Sequence, residues 1–350
     1  NYLCQMETLG MNVTLLAVIA LAIPFQSKSE LTLYRFSQPH MGTKCQIILY
    51  SMNKEEASRC ANAAFLRMKQ LDSIMSDYNQ ESELRQLCAR SGTGPVSVGE
   101  DLFKVLTRAH EVSVLSNGAF DVTVGPVVKL WRRARKSIQM PDKDELEAAL
   151  KLVDYQSMVI DPLKKTVWLK KTGMMLDLGG IAKGYAAEES LNVLKKMGIS
   201  SALVAMGGDV ALGDPPPNAK GWKVGIAPVL EEGDAASRYM VLANCAVSTS
   251  GDTEQYVEIG GKRYSHLVNS KTGIGLTERI SVTIVAPHGI DSDSLTKVVS
   301  ILGVAKGMEL AAKLPGISCR VVTKNNDLLE VKKSEIFPTV HENPKQGKGN

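Results

Sequence analysis

The segment Met174–Glu189, MMLDLGGIAKGYAAEE, constrains this chain more than any other. An apolar run ends in Asp177, two glycines follow, and a lysine stands at the start of an alanine-rich stretch. Gly179 and Gly180 lack the Cβ that would keep a ligand away from the backbone. The pattern predicts a helix from about Ile181 to Met197. Such a helix points its unpaired N–H groups at the glycine turn, and Lys183 adds a formal positive charge. Together these make a site for an anion of the polyphosphate type. The plain alternative is a glycine turn with a solvated lysine. No GxxxxGK[ST] loop and no GxGxxG fingerprint is present, so neither common nucleotide-binding motif applies.

The surrounding pattern predicts mixed secondary structure. Runs at Leu31–Phe36 and Lys44–Tyr50 flank a Met41-Gly42-Thr43 corner and read as paired strands. From Lys54 onward, Ala57, Ala61, Ala64, Met68, Leu71 and Met75 recur at helical spacing and mark a core-facing stripe. Further helices are predicted at Asp101–Ser116, from Pro141-Asp142 to about Leu152, and from Asp293 to Leu302. Asp161-Pro162 separates two short strands, and other strand-like runs lie near 202–205, 222–227, 238–242, 255–259 and 280–286. Strict βαβ alternation is absent, so the fold class is α+β with mainly antiparallel sheets and packed helices. No sharp linker interrupts residues 30–336, which read as one catalytic unit of two lobes, followed by a polar, disordered tail at 337–350.

Composition narrows the classes of function. At 44% hydrophobic residues the chain can bury a sizeable core. A net charge of +4 with few aromatics gives no nucleic-acid surface. The short basic run Arg132, Arg133, Arg135 and Lys136 is either a solvated face or a contact for phosphates or an acidic partner. The six cysteines show neither CxxC nor zinc spacing and read as buried small apolar residues. Met11–Phe25 is an apolar run too short for a comfortable membrane span, and Ala20-Leu21-Ala22 offers a cleavage pattern, so residues 1–29 fit a secretory signal. The expected location is exported, periplasmic or cell-envelope. No lipobox-type cysteine follows the run, so a lipid anchor is not supported.

A series of motifs accompanies the glycine-lysine segment: HMGTKCQIILY at 40–50, SDYNQESELRQL at 76–87, NGAFDVTVGPVVKLW at 117–131, ALVAMGGDVALG at 202–213, VSTSGD at 247–252, YSHLVNSKTG at 264–273 and VTIVAPHGIDSDSLTKVVSILG at 282–303. In this order and spacing the chain resembles the FAD:protein FMN transferases, the ApbE family. The resemblance implies two lobes around an FAD cleft. It also implies an enzyme that cleaves FAD, releases AMP and attaches FMN by a phosphoester to a threonine of a target protein, using magnesium. The acceptor it implies is a membrane-associated redox subunit.

The resemblance also assigns residues. Asp293, with Thr296 and the backbone of Gly180, is the implied magnesium set; the plain alternative for Asp293 is a helix N-cap or first-turn acid. His266 is the implied base for the threonine proton. Met41, Tyr78, Ala119, Phe120, Asp121, Asp177, Lys183 and Leu267 are the implied flavin contacts, with Asp121 alternatively ending a turn. Three positions depart from the family pattern. Lys297 stands where a threonine is usual and cannot ligate a metal, so it either alters magnesium affinity or sets its own charge against the phosphates. Asn269 replaces an aspartate after His266. Thr253 and Gln255 stand where the aromatic and arginine of the STSG-D-Y-E-R pattern are usual. Two other readings stay open: an FAD pyrophosphatase giving FMN and AMP, and a non-catalytic FAD-binding protein.

Overall fold

The computed structural model describes residues 31–226, 238–251, 256–325 and 328–342, all within the unit Leu31–Asn350. The expected signal segment lies outside the described residues, as do Asp252–Gln255. Strands β1 (Thr32–His40) and β2 (Thr43–Ser51) pair antiparallel across the predicted corner. Met41 has φ 48° and Gly42 φ 70°, and positive φ at both positions of a two-residue loop suits the right-handed twist of a hairpin. Helix α1 (Lys54–Met75) follows, capped by the Asn53 side chain, with every residue of the predicted stripe buried.

Next come α2 (Glu83–Ala89), β3 (Val96–Ser97), α3 (Glu100–Leu115), α4 (Gly125–Ser137) and α5 (Lys143–Leu150). Strands β4 (Met158–Asp161) and β5 (Thr166–Leu169) form the predicted hairpin, which β3 extends. Helix α6 (Ala182–Lys196) is the glycine-lysine helix. The second half of the chain adds β6 (Ala202–Met206), β7 (Asp209–Leu212), β8 (Trp222–Ile226), β9 (Arg238–Leu242), β10 (Cys245–Gly251), β11 (Tyr256–Ile259), β12 (Lys262–Ser265) and β13 (Arg279–Ala286). It closes with α7 (Gly289–Leu302), α8 (Val304–Ala312), β14 (Ser318–Asn325), β15 (Leu328–Lys333) and β16 (His341–Glu342).

The main sheet runs β1-β2-β6-β7-β10-β13-β14-β15, every neighbouring pair antiparallel. Its strands alternate between two cores. Ile47, Val204, Ala211 and Ile284 face the helices α1, α6 and α7, whereas Ile48, Leu203, Leu212 and Val285 pack with Trp222, Val224 and Met240 of the small sheet β8-β9-β16. A period of two residues places adjacent side chains in different layers, which is what an α+β sandwich of this kind needs.

Two sequence expectations are corrected, the start of α7 and the tail, and α4 was not predicted. Helix α7 begins at Gly289, four positions earlier than predicted, so Asp293 lies inside the helix and not at its cap. Helix α4 was hidden by its basic residues; Val127, Trp131 and Ala134 form its narrow apolar stripe. The stretch from Phe337 is not a disordered tail throughout: Phe337 is buried in the second core and β16 pairs with β9, while 343–350 lie outside the described residues. Among the described residues the five cysteines are free, and all but the half-buried Cys245 are buried, as small apolar residues would be. No helix among those residues is long and apolar enough to cross a membrane.

Candidate active site

The site is built where α6 crosses α7. The two helices meet backbone to backbone: a Cβ on Gly184 would lie 2.0 Å from the Gly289 carbonyl oxygen, and one on Gly289 would lie 2.1 Å from that of Gly184. Only glycine permits this approach. It brings Asp293, on the second turn of α7, against the first turn of α6, where the Gly184 N–H donates to Asp293 Oδ2 at 3.0 Å. The other oxygen, Oδ1, accepts from the Lys297 ammonium one turn along the same helix. Asp293 is fully buried and the Lys297 side chain is only 11% exposed. Lys183, whose charge also acts on Asp293, donates to Asp209 at the start of β7.

Four ionised groups thus form a buried set with equal numbers of positive and negative charges. Burial alone would raise the Asp293 pKa, but Lys183, Lys297 and the Gly184 N–H outweigh it and hold this carboxyl below its usual range. Burial likewise works against the Lys183 ammonium, and Asp293 and Asp209 more than reverse it, keeping Lys183 charged well above its ordinary pKa. Glycine at 180 also serves the set: a Cβ there would stand 3.4 Å from the Lys297 Cγ and 3.3 Å from the Phe120 ring.

These contacts test the implied magnesium set. Both Asp293 oxygens are engaged, and the Thr296 hydroxyl, fully buried, donates to the Asp293 backbone carbonyl at 2.7 Å. A divalent ion about 4 Å from an ammonium is repelled by about 8 kcal/mol at an effective dielectric near 20. Magnesium also demands several unencumbered oxygens in octahedral array. As the side chains stand, Gly180, Asp293 and Thr296 do not fit it.

At the rim, the Asp177 carboxyl accepts from the Gly179 N–H at 2.8 Å and from Arg132 of α4 at 2.7 Å. The same guanidinium binds Asp77 and lies over the Tyr78 ring, 4.3 Å from its centroid. Two carboxylates therefore share one cation. Burial and the neighbouring Asp77 push the Asp177 pKa up, and Arg132 offsets this only in part. Tyr78 is 74% exposed, with a free ring face for an aromatic ligand.

The turn bearing Ala119, Phe120 and Asp121 is held by Asp121 itself. Its oxygens accept from the Thr123 N–H and hydroxyl, at 2.8 and 2.7 Å, and from the Tyr155 N–H at 3.0 Å. The turn-ending role is the one these contacts serve, and burial raises the Asp121 pKa. Ser270 ties a second loop to this turn, donating to the carbonyls of Gly118 at 2.5 Å and Ala119 at 3.3 Å. That loop carries His266 and Leu267 at its base and doubles back so that the Leu276 N–H reaches the Leu267 carbonyl at 2.8 Å. The Trp131 indole holds its tip through the Gly273 carbonyl at 2.7 Å. Asn269 caps the turn, accepting from the N–H groups of Lys271 and Thr272. Its side-chain oxygen thus serves the loop.

Met41 comes from the opposite side of the chain. Its N–H donates to Asp72 at 3.4 Å, and the neighbouring Thr43 sits against Gly207, where a Cβ would lie 3.0 Å from the threonine hydroxyl. Gly207 and Gly208 lead directly into Asp209, the partner of Lys183. The structure thus sets Gly180 beside Phe120, reaches Asp293 from Gly180 through Lys297, couples Lys183 to Asp293 by charge, joins Asp177 and Tyr78 through Arg132, and carries His266 and Leu267 on a loop stitched beside Ala119. Sequence reasoning left out Asp209, for which the GGD in the motif at 202–213 was a usable signal. It placed Arg132 in a basic run that was either solvated or in contact with phosphates or an acidic partner, and its own partners, 55 and 45 positions away, had no local signal.

The ApbE family model matches residues 41–321. An FAD:protein FMN transferase of Klebsiella pneumoniae is 31% identical over 86% of this chain and 92% of its own length. One of Treponema pallidum is 32% identical over 79% and 81% respectively. The crystal structure of an ApbE protein of Thermotoga maritima superposes with a TM-score of 0.78 at 27% identity, covering 87% of this chain and 97% of that one. The match runs through every loop that builds the site, and this chain belongs to the ApbE family.

Proposed function

We propose that this protein transfers the FMN half of FAD to a threonine hydroxyl of an acceptor protein and releases AMP. The observation that carries this reading is the charge set at the mouth of α6, where Lys183 and Lys297 pair with Asp209 and Asp293 and the Lys297 stem packs beside Gly180 of the Gly179-Gly180 turn. A pyrophosphate set against that turn meets positive charge on two sides and the positive end of the helix. Tyr78, Phe120 and Met41 supply apolar surfaces for the flavin, and Asp177 an acceptor for its N–H or hydroxyl groups.

In the reaction the threonine oxygen bonds to the phosphorus of the FMN half and the pyrophosphate bridge to AMP breaks. His266 takes the hydroxyl proton, and the AMP phosphate leaves with the electron pair of the broken bond. Charge grows on the non-bridging and leaving oxygens, where fixed ammoniums are most effective because they need no reorganisation. Magnesium, implied by the resemblance, would act there as a Lewis acid. The donor set at Asp293 does not fit it. The proposed acceptor is a membrane-associated redox subunit in the cell envelope, consistent with the apolar run Met11–Phe25.

Incubation with FAD, with and without an acceptor bearing an accessible threonine, tests the reading. Flavin fluorescence on the denatured acceptor band together with AMP release is the expected result. Free FMN alone would mean hydrolysis, and unchanged FAD would reduce the protein to a flavin binder.

A further inference from the structure

The buried pair Lys297–Asp293 carries more than a departure from a pattern. A lysine this enclosed is rare unless paired. Here the partner is Asp293, whose remaining oxygen is committed to the Gly184 N–H. The Lys297 stem runs alongside Gly180, so the ammonium is delivered to the glycine turn and not to bulk solvent. With Lys183, Asp209 and Asp293 the set is already neutral, and in the FAD-free protein an added divalent ion would leave two uncompensated charges there.

We propose that the Lys297 ammonium occupies the place of a divalent cation at Asp293, so that this protein holds the FAD pyrophosphate without magnesium. The proposal rests on the reading of this site as an FAD site. An ammonium is not a Lewis acid and cannot replace a metal ion in that role, but it sets positive charge and N–H donors at a fixed position for phosphate oxygens. One surface of the ammonium is bound to Asp293, and the remaining donors are available to an anion at the turn.

Two measurements decide it, one of which needs no flavin. Manganese binding to the FAD-free protein, read by the loss of the free-ion electron paramagnetic resonance signal, is expected to be absent at this site in the wild type. It is expected to appear in Lys297→Thr, which frees Asp293 Oδ1 and adds a hydroxyl. Equal manganese binding by the two proteins, or binding by neither, overturns the proposal whatever FAD does. In the second measurement FAD affinity is followed by quenching of flavin fluorescence in EDTA and in millimolar magnesium. The wild type should bind equally under both conditions. Lys297→Thr should lose about tenfold or more in EDTA, the worth of a charge-assisted contact, and recover with magnesium. A wild type that needs magnesium to bind FAD overturns the proposal without recourse to any variant. Failure to bind FAD under every condition would instead remove the flavin reading, leaving the manganese result to judge Lys297.

Discussion

Two clusters of charge border the glycine turn and they are built on opposite principles. At the α6–α7 crossing, Asp293 and Asp209 are matched by Lys297 and Lys183, and the two carboxylates are all but inaccessible. At the rim, Asp77 and Asp177 share Arg132 alone, whose side chain is 28% exposed, beneath a largely solvated Tyr78. The inner cluster is neutral and closed, so any single loss leaves a buried charge without a partner. The outer one carries an excess negative charge and can relax into water. Removing one partner of a buried ion pair costs far more than removing one at the surface.

The largest effect is therefore expected at Asp293. Asp293→Ala leaves the Lys297 ammonium without its partner and an uncapped N–H on α6, and should destabilise the fold by about 3–5 kcal/mol as well as abolish AMP release. Thermal or urea melts check the first and nucleotide analysis the second. An unchanged melting temperature would show that the inner cluster is not closed. The pH dependence follows from the same contacts. Because the folded-state pKa of Asp293 is depressed, its contribution is present above the ordinary carboxylate value and lost as pH falls through the folded one. The stability gap between wild type and Asp293→Ala should accordingly shrink as pH drops below about 4.

Gly184→Ala tests the crossing that makes the inner cluster possible. Its Cβ would meet the Gly289 carbonyl oxygen at 2.0 Å and the Asp293 Cβ at 2.7 Å, contacts with backbone that no rotamer change relieves. Forcing the helices apart should cost about 1–3 kcal/mol and move Asp293 off the α6 amide. Circular dichroism melts measure the first. Loss of FAD affinity in protein that still folds measures the second.

The same contrast explains what the sequence disclosed. Gly179, Gly180 and Lys183 were legible because a glycine turn followed by a lysine at a helix start carries its chemistry within a few residues. The antiparallel α+β class was legible from strands and helices intermixed without strict βαβ alternation, with the paired runs of β1 and β2 and the stripe of α1. The start of α7 was not, since what extends it to Gly289 is a close approach to Gly184, over a hundred positions away, which no local pattern records. Lys297 was visible as a departure, but its ion pair depends on where Asp293 sits in the helix. Arg132 looked like part of a solvated basic run; only folding brings Asp77 and Asp177 to it.

At the outer cluster the effects should be smaller and fall on binding. Arg132→Ala leaves Asp77 and Asp177 facing each other near the turn, with water free to enter. Their repulsion should raise KM for FAD by about fivefold to tenfold with kcat little changed, the pattern of a uniform binding loss. A fall in kcat of the same size would place Arg132 at the reacting phosphates instead.

The smallest effect separates a structural ring from a ligand platform. Tyr78 lies over Arg132 in an exposed position, where a cation–π contact contributes about 0.5–1 kcal/mol. Tyr78→Leu removes that contact and the aromatic face together, whereas Tyr78→Phe keeps both and removes only the hydroxyl. If the free face of the ring receives the flavin, Tyr78→Leu should weaken FAD binding by more than its loss in stability, and Tyr78→Phe should leave both nearly unchanged. Equal losses in the two quantities for Tyr78→Leu would confine the ring to holding Arg132 in place. The rim would then be a positioning device for Asp177, and the contrast between the two clusters would become one between binding and support.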